Sequence, residues 1–253
     1  FQTLGNFNNT LNLVINSHVH LGKLNSLERN KIKPNLNAFI TNSDLNNSEA
    51  IRAEKVSFKY FGSKDYLFHD LDFILKRNSH TVITGDNGSG KSTLLGLISG
   101  ILNPNTGKIE CFSDRFAYVG ATPLIVKGSL RENLLYGNSL VLDDGEILEL
   151  VKAYKLFIEE QEDVLNKQIT NKSLSSGQMQ KVSFIRAMLS NPTVLVLDES
   201  TSNLDYDSRK LINEQLKKTQ LTIINSTHSI EEVDYDHHLH IDILDTKRRL
   251  RIV

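Results

Sequence analysis

Apolar residues at Leu4, Phe7, Leu11 and Val14, continued by His18 and Leu21, recur in steps of three and four. That spacing predicts an amphipathic helix over residues 1–30, with one apolar stripe and a polar, Asn-rich remainder. Residues 31–50 read as a linker, marked by Pro34 and by the polar run at 42–48. A helix with one apolar stripe and no core of its own needs a surface to cover, either on a partner or on the domain that follows.

From Ile51 to Val253 the pattern becomes that of an α/β domain. Glu54–Tyr60 and Tyr66–Leu75 alternate as antiparallel strands joined across Gly62-Ser63-Lys64-Asp65. Thr81–Thr84 is a short apolar strand, and Leu94–Ile98 has helical spacing. Gly107–Phe112 and Arg115–Val119 read as strands, while Ser129–Leu135, Glu146–Glu160, Ser176–Leu189 and Asp207–Lys218 read as helices. Val194–Leu197 is the continuous apolar run of a strand buried on both faces. Leu221–Asn225 is another strand, and Leu239–Leu244 with Leu250–Val253 closes a hairpin across Asp245-Thr246-Lys247-Arg248.

Composition narrows the classes. The 253 residues suit one large domain with an appendage. A net charge of −1 gives no general footprint for nucleic acid. A lone cysteine, Cys111, rules out an internal disulfide and fits a reducing compartment. The sequence contains no apolar run of about 18 residues, the length that would span a bilayer. It opens on Phe1 without the layout of a signal peptide, which suggests a piece of a longer polypeptide.

Residues 85–93 carry the first chemistry: Gly85, Asp86, Asn87, Gly88, Ser89, Gly90, Lys91, Ser92 and Thr93. A strand precedes them and a helix follows, the context that the phosphate-binding pattern G-x-x-x-x-G-K-[ST] requires. Glycines let the main chain turn tightly and approach an anion with no Cβ in the way. Their N–H groups and the helix start form a concave anion site. Lys91 is expected to reach the β- and γ-phosphates, and the Ser92 hydroxyl to sit on Mg²⁺.

The apolar strand at 194–197 ends in Asp198 and Glu199. Parallel α/β sheets bind ligands at that end of their strands. Asp198 is placed to hold Mg²⁺, the Walker B role, and Glu199 to polarise the attacking water as a general base. Upstream lie Leu174, Ser175, Ser176, Gly177 and Gln178, opening the helix that runs through Met179–Ala187.

Here the sequence resembles the ATP-binding cassette (ABC) ATPases, whose signature motif stands about twenty residues before Walker B. Ser175 and Gly177 at a helix N-terminus suit a phosphate. In the family that phosphate belongs to ATP on an opposing subunit, so the resemblance implies a head-to-tail dimer with a second nucleotide-binding domain. Further landmarks follow the family order: Ser202-Asn203-Leu204-Asp205 resembles the D-loop, whose Asp205 would couple two sites. His228 resembles the switch histidine on the γ-phosphate, and Tyr60 the aromatic that stacks on adenine. The resemblance implies a P-loop NTPase of ABC type: a mixed, largely parallel core sheet with flanking helices, an antiparallel β subdomain, and a helical subdomain over about 121–190 carrying the signature.

The segment 118–133, YVGATPLIVKGSLREN, is similar to the exporter pattern that docks on a membrane domain. The helix expected over residues 1–30 resembles the cytoplasmic end of an exporter's last transmembrane helix, with residues 19–24 resembling the segment that leads to the linker. Where the family has Gln after the strand, this chain has Gly120-Ala121, and Ser176 replaces a signature glycine. The glutamate that exporters place before the signature is missing from Asn166–Ser173. The resemblance therefore implies an ATP- and Mg²⁺-dependent ATPase domain of an exporter. Its partners would be a second such domain, in a homo- or heterodimer, and transmembrane domains at the cytoplasmic face of a membrane. A nucleotide-binding but hydrolytically impaired regulatory cassette remains the alternative. The 83 positions between Lys91 and Leu174 leave no room for the long coiled coil of a chromosome-organising ATPase.

Overall fold

The computed structural model describes residues 39–41, 48–113, 115–157, 163–228, 230–244 and 247–253. The helix expected over residues 1–30 lies outside them. Among the described residues, twelve strands and five α-helices follow in order: β1 (Phe39–Thr41), β2 (Glu49–Phe58), β3 (Phe68–Lys76), β4 (His80–Gly85), α1 (Lys91–Ile98), β5 (Thr106–Cys111), β6 (Phe116–Gly120), β7 (Gly128–Ser129), α2 (Leu130–Leu134), α3 (Asp144–Ala153), β8 (Gln168–Ile169), α4 (Ser176–Leu189), β9 (Val194–Asp198), α5 (Tyr206–Lys217), β10 (Thr222–Ser226), β11 (His237–Leu244) and β12 (Lys247–Ile252).

One ten-stranded sheet runs β1-β5-β2-β3-β12-β11-β4-β10-β9-β6. Its β11-β4-β10-β9-β6 part is parallel throughout, and β5-β2-β3 is antiparallel. This is the mixed sheet that the P-loop resemblance implies. The register brings the C-terminal ends of β4, β10, β9 and β6 to one edge: Ser226 pairs with both Ile83 and Asp198, and Gly120 with Asp198. Val194–Leu197, Ile224 and Val82 are fully or almost fully buried, because this part of the sheet is covered on both faces.

Two apolar clusters flank it. One joins α1 to the antiparallel strands through Leu94, Leu95, Leu97, Phe68 and Val56. The other packs α2, α3 and α4 together through Leu130, Ile147, Tyr154 and Phe184. Tyr154 and Phe184 stack with centroids 6.4 Å apart. Capping boxes fix the starts of these helices at Ser129/Glu132, Asp143/Glu146 and Ser175/Gln178.

Several bounds differ from the sequence reading. The expected helix over Glu146–Glu160 is α3, which ends at Ala153; Lys155 and Phe157 then take left-handed φ values of 48° and 56°. Phe39–Thr41, inside the expected linker, pairs in parallel with β5, and β2 starts at Glu49 rather than in the fifties. The terminal hairpin is longer than expected, pairing Leu239 with Ile252 through Leu244 with Lys247. The expected turn residues Lys247 and Arg248 therefore belong to β12.

Candidate functional site

The loop after β4 is shaped by two glycines. Gly85 has φ 151° and Gly90 φ 104°, values that L side chains rarely adopt. A Cβ at Gly85 would stand 2.7 Å from Ser89 Oγ and 2.8 Å from the Ile241 carbonyl, and one at Gly90 would stand 2.9 Å from Phe68 Cζ. Asp86, Asn87 and Gly88 are exposed, while Ser89 is buried and its amide donates to the Asp86 carbonyl at 3.0 Å. Gly90 is the N-cap of α1 and supplies no side-chain cap. The first amides of α1 are therefore left for another acceptor.

Lys91 folds back over this loop. Its Nζ donates to the carbonyls of Gly85 at 3.0 Å and Asp86 at 3.4 Å, and stands 3.6 Å from Glu199 Oε1. One residue on, Ser92 Oγ donates to Asp198 Oδ1 at 3.1 Å. Glu199 has φ 49°, a left-handed conformation uncommon outside glycine, and its amide donates to the Ser226 carbonyl at 3.0 Å. His228 Nε2 lies 3.1 Å from Glu199 Oε1. A carboxylate only accepts, so that nitrogen carries the proton of the bond. Lys91, Ser92, Asp198, Glu199 and His228, named from sequence, are thus one connected group at the ends of β4, β9 and β10.

Tyr60 sits just beyond the end of β2, half exposed, with its hydroxyl 2.7 Å from Thr93 Oγ1. Its ring meets Phe58 edge-on at 5.0 Å, with Phe58 buried in the core and Tyr60 beside the loop.

The signature residues stand apart from this group. Ser175 Oγ accepts from the Gln178 amide at 3.1 Å, and Gln178 Oε1 accepts from the Ser175 amide at 2.9 Å. Ser175 and Ser176 are exposed. A Cβ on Gly177 would lie 3.7 Å from Leu204 Cδ2 and 3.9 Å from Asp205 Oδ2, so the start of α4 adjoins the start of α5. Asp205 caps α5 by accepting from the Ser208 amide at 2.8 Å, which holds its carboxyl below the usual range.

Three contacts escaped the sequence reading. The Tyr118 phenol donates to Asp198 Oδ2 at 2.8 Å. Gln180 Nε2 donates to the Gly120 carbonyl at 3.0 Å, and Asn203 Nδ2 to that of Ala121 at 3.4 Å. The first depends on β6 lying beside β9, a neighbour relation with no signal in local sequence.

The ABC transporter family model matches residues 68–202, from β3 to just past the end of β9. The chain belongs to the ABC transporter family. It is 30% identical over 205 residues to ABC transporter B family member 13 of Arabidopsis thaliana, covering 73% of this chain and 16% of that protein. It is 31% identical over 208 residues to the multidrug resistance ABC transporter ATP-binding and permease protein of Lactococcus lactis subsp. cremoris (strain MG1363), covering 74% of this chain and 35% of that protein. The chain thus spans about a third or less of these curated relatives. It is an ABC nucleotide-binding domain, exporter-like in its relatives. Among the described residues, no helix is long and apolar enough to cross a membrane.

Proposed function

We propose that this chain binds ATP with Mg²⁺ and hydrolyses it as the motor domain of an exporter. The observation that carries this reading is the joined set Lys91–Glu199–His228 and Ser92–Asp198, held within 3.6 Å links at one sheet edge.

Ser92 Oγ and Asp198 Oδ1 converge as hard oxygen donors, the chemistry that Mg²⁺ selects. Among the described residues no group of three His, Cys, Asp or Glu side chains is suited to a metal ion. That fits an ion held by one carboxylate, one hydroxyl and substrate phosphate, as Mg²⁺ commonly is. When bound, Mg²⁺ supplies neutralisation of charge across the β- and γ-phosphates.

The residues divide the remaining work. The amides opening α1 and the Lys91 ammonium bind and orient the phosphates. Glu199 accepts a proton from water, whose oxygen bonds to the γ-phosphorus as the bond to the bridging oxygen breaks and ADP leaves with the electron pair. His228, donating to Glu199 Oε1, fixes the carboxylate and leaves Oε2 for that water. Ser175, Ser176, Gly177, Gln178 and Asp205 would act on the nucleotide of a second domain in a head-to-tail dimer, transmitting its opening and closing to membrane domains. The exporter-like relatives support this setting, at the cytoplasmic face of a membrane.

A second reading, a cassette that binds nucleotide but turns it over poorly, is favoured by one feature: Ala121, just after β6, carries a methyl rather than an amide. Phosphate release by Glu199→Gln separates the two. Under the motor reading the wild type turns over and the variant loses roughly 10²–10⁴-fold in rate. Equal rates in both would remove Glu199 from catalysis, and an inactive wild type that still binds ATP would favour the second reading.

A further inference from the structure

Both oxygens of the Asp198 carboxylate are engaged. Ser92 Oγ donates to Oδ1 at 3.1 Å and the Tyr118 phenol donates to Oδ2 at 2.8 Å. Tyr118 pairs with Val196 across the strands, and Gly120 with Asp198. To reach the carboxylate, the tyrosine ring has to extend two residues along its own strand, over Gly120. That glycine leaves the space: a Cβ there would stand 3.3 Å from Tyr118 Cε1. Among the side chains of residues 118–121, Tyr, Val, Gly and Ala, the phenol alone carries a polar atom. The end of the strand is held in place by Gln180 on the Gly120 carbonyl and Asn203 on that of Ala121.

We propose that Tyr118 is a positioning residue for Asp198: its hydroxyl fixes one carboxylate oxygen so that the other is presented to Ser92 and the metal. The inference rests on the Mg-ATP reading of the site. A carboxylate turns freely about its last, broad torsion, and hydrogen bonds to both oxygens stop that rotation. Outer hydrogen bonds of this kind typically govern 10–100-fold in metal affinity.

The test is Mn²⁺ binding to the ATP-loaded chain, followed by electron paramagnetic resonance, in wild type, Tyr118→Phe and Gly120→Val. Tyr118→Phe removes the donor and keeps the ring; Gly120→Val keeps the phenol and crowds it away. Both are expected to weaken Mn²⁺ binding by roughly 10-fold and to raise the Mg²⁺ needed for half-maximal hydrolysis, with far less change at saturating Mg²⁺. ATP affinity in EDTA serves as the control for folding and nucleotide binding. Wild-type Mn²⁺ affinity in Tyr118→Phe overturns the proposal. A wild type that binds ATP in EDTA but no Mn²⁺ overturns the Mg-ATP reading, and the proposal with it.

Discussion

Lys91 and Glu199 face each other across the end of the sheet, Nζ 3.6 Å from Oε1, with the lysine side chain 5% exposed and the glutamate 34%. The cation is buried because β4 and α1 enclose it, and the partly open carboxylate is the group left accessible to water. Replacing Lys91 by Ala removes the ammonium proposed to bind the phosphates. ATP affinity should fall by roughly 10–100-fold, the range for a hydrogen bond to a charged group, in isothermal titration calorimetry. An unchanged affinity would mean that the amides of α1 suffice.

The helix caps allow stability and catalysis to be separated. Ser175 and Asp143 each close a capping box, on α4 and α3. Changing either to Ala should cost about 1 kcal/mol in urea unfolding. Only Ser175→Ala should also depress ATP turnover, because Ser175 is the one proposed to meet a nucleotide. Equal turnover in the two variants would reduce the signature serine to a cap.

Gly90 is strained for any other residue by its φ of 104° and by the Phe68 ring 2.9 Å from where a Cβ would lie. Gly90→Ala should destabilise the domain by ~1–3 kcal/mol and weaken ATP binding. Gly62→Ala provides the contrast, since its φ of 79° lies where a Cβ meets nothing within 4 Å. It should cost stability through backbone strain and leave nucleotide binding intact. Thermal melts with and without ATP distinguish them.

Burial lowers the His80 imidazole to about 4, against the partial opposition of Asp236 and Asp234. The unfolded chain then binds more protons than the folded one between about pH 6.5 and 4, so stability rises with pH there. The contribution is complete above pH 6.5 and is lost as pH falls toward 4, up to ~3 kcal/mol. His80→Gln should flatten that part of the urea-midpoint profile relative to wild type. A variant profile parallel to wild type would show that the carboxylates alone cause the acid loss.

Much of the site was legible in the sequence because its residues cluster in short, ordered motifs. Residues 85–93 and 194–199 each announce a strand edge and a chemistry. The periodicity failed where apolar spacing outlasted the helix: Leu156 is 2% exposed and Phe157 packs against the same cluster, so the pattern past Ala153 reports burial rather than helix. The start of β2 at Glu49 was hidden by its Asn- and Ser-rich approach. Tyr118 was hidden for another reason: its role depends on which strands are neighbours, and β6 meets β9 from more than seventy residues away in sequence.

As proposed, this chain is a working ATPase whose sites are completed by a second copy or a second cassette. The most direct measurement is Mg-dependent phosphate release per molecule across a range of chain concentration, with Lys91→Ala as the blank. A shared site should give a specific rate that climbs with concentration and vanishes in the variant. A specific rate independent of concentration would contradict the shared site, and tight ATP binding with no turnover at any concentration would contradict the motor.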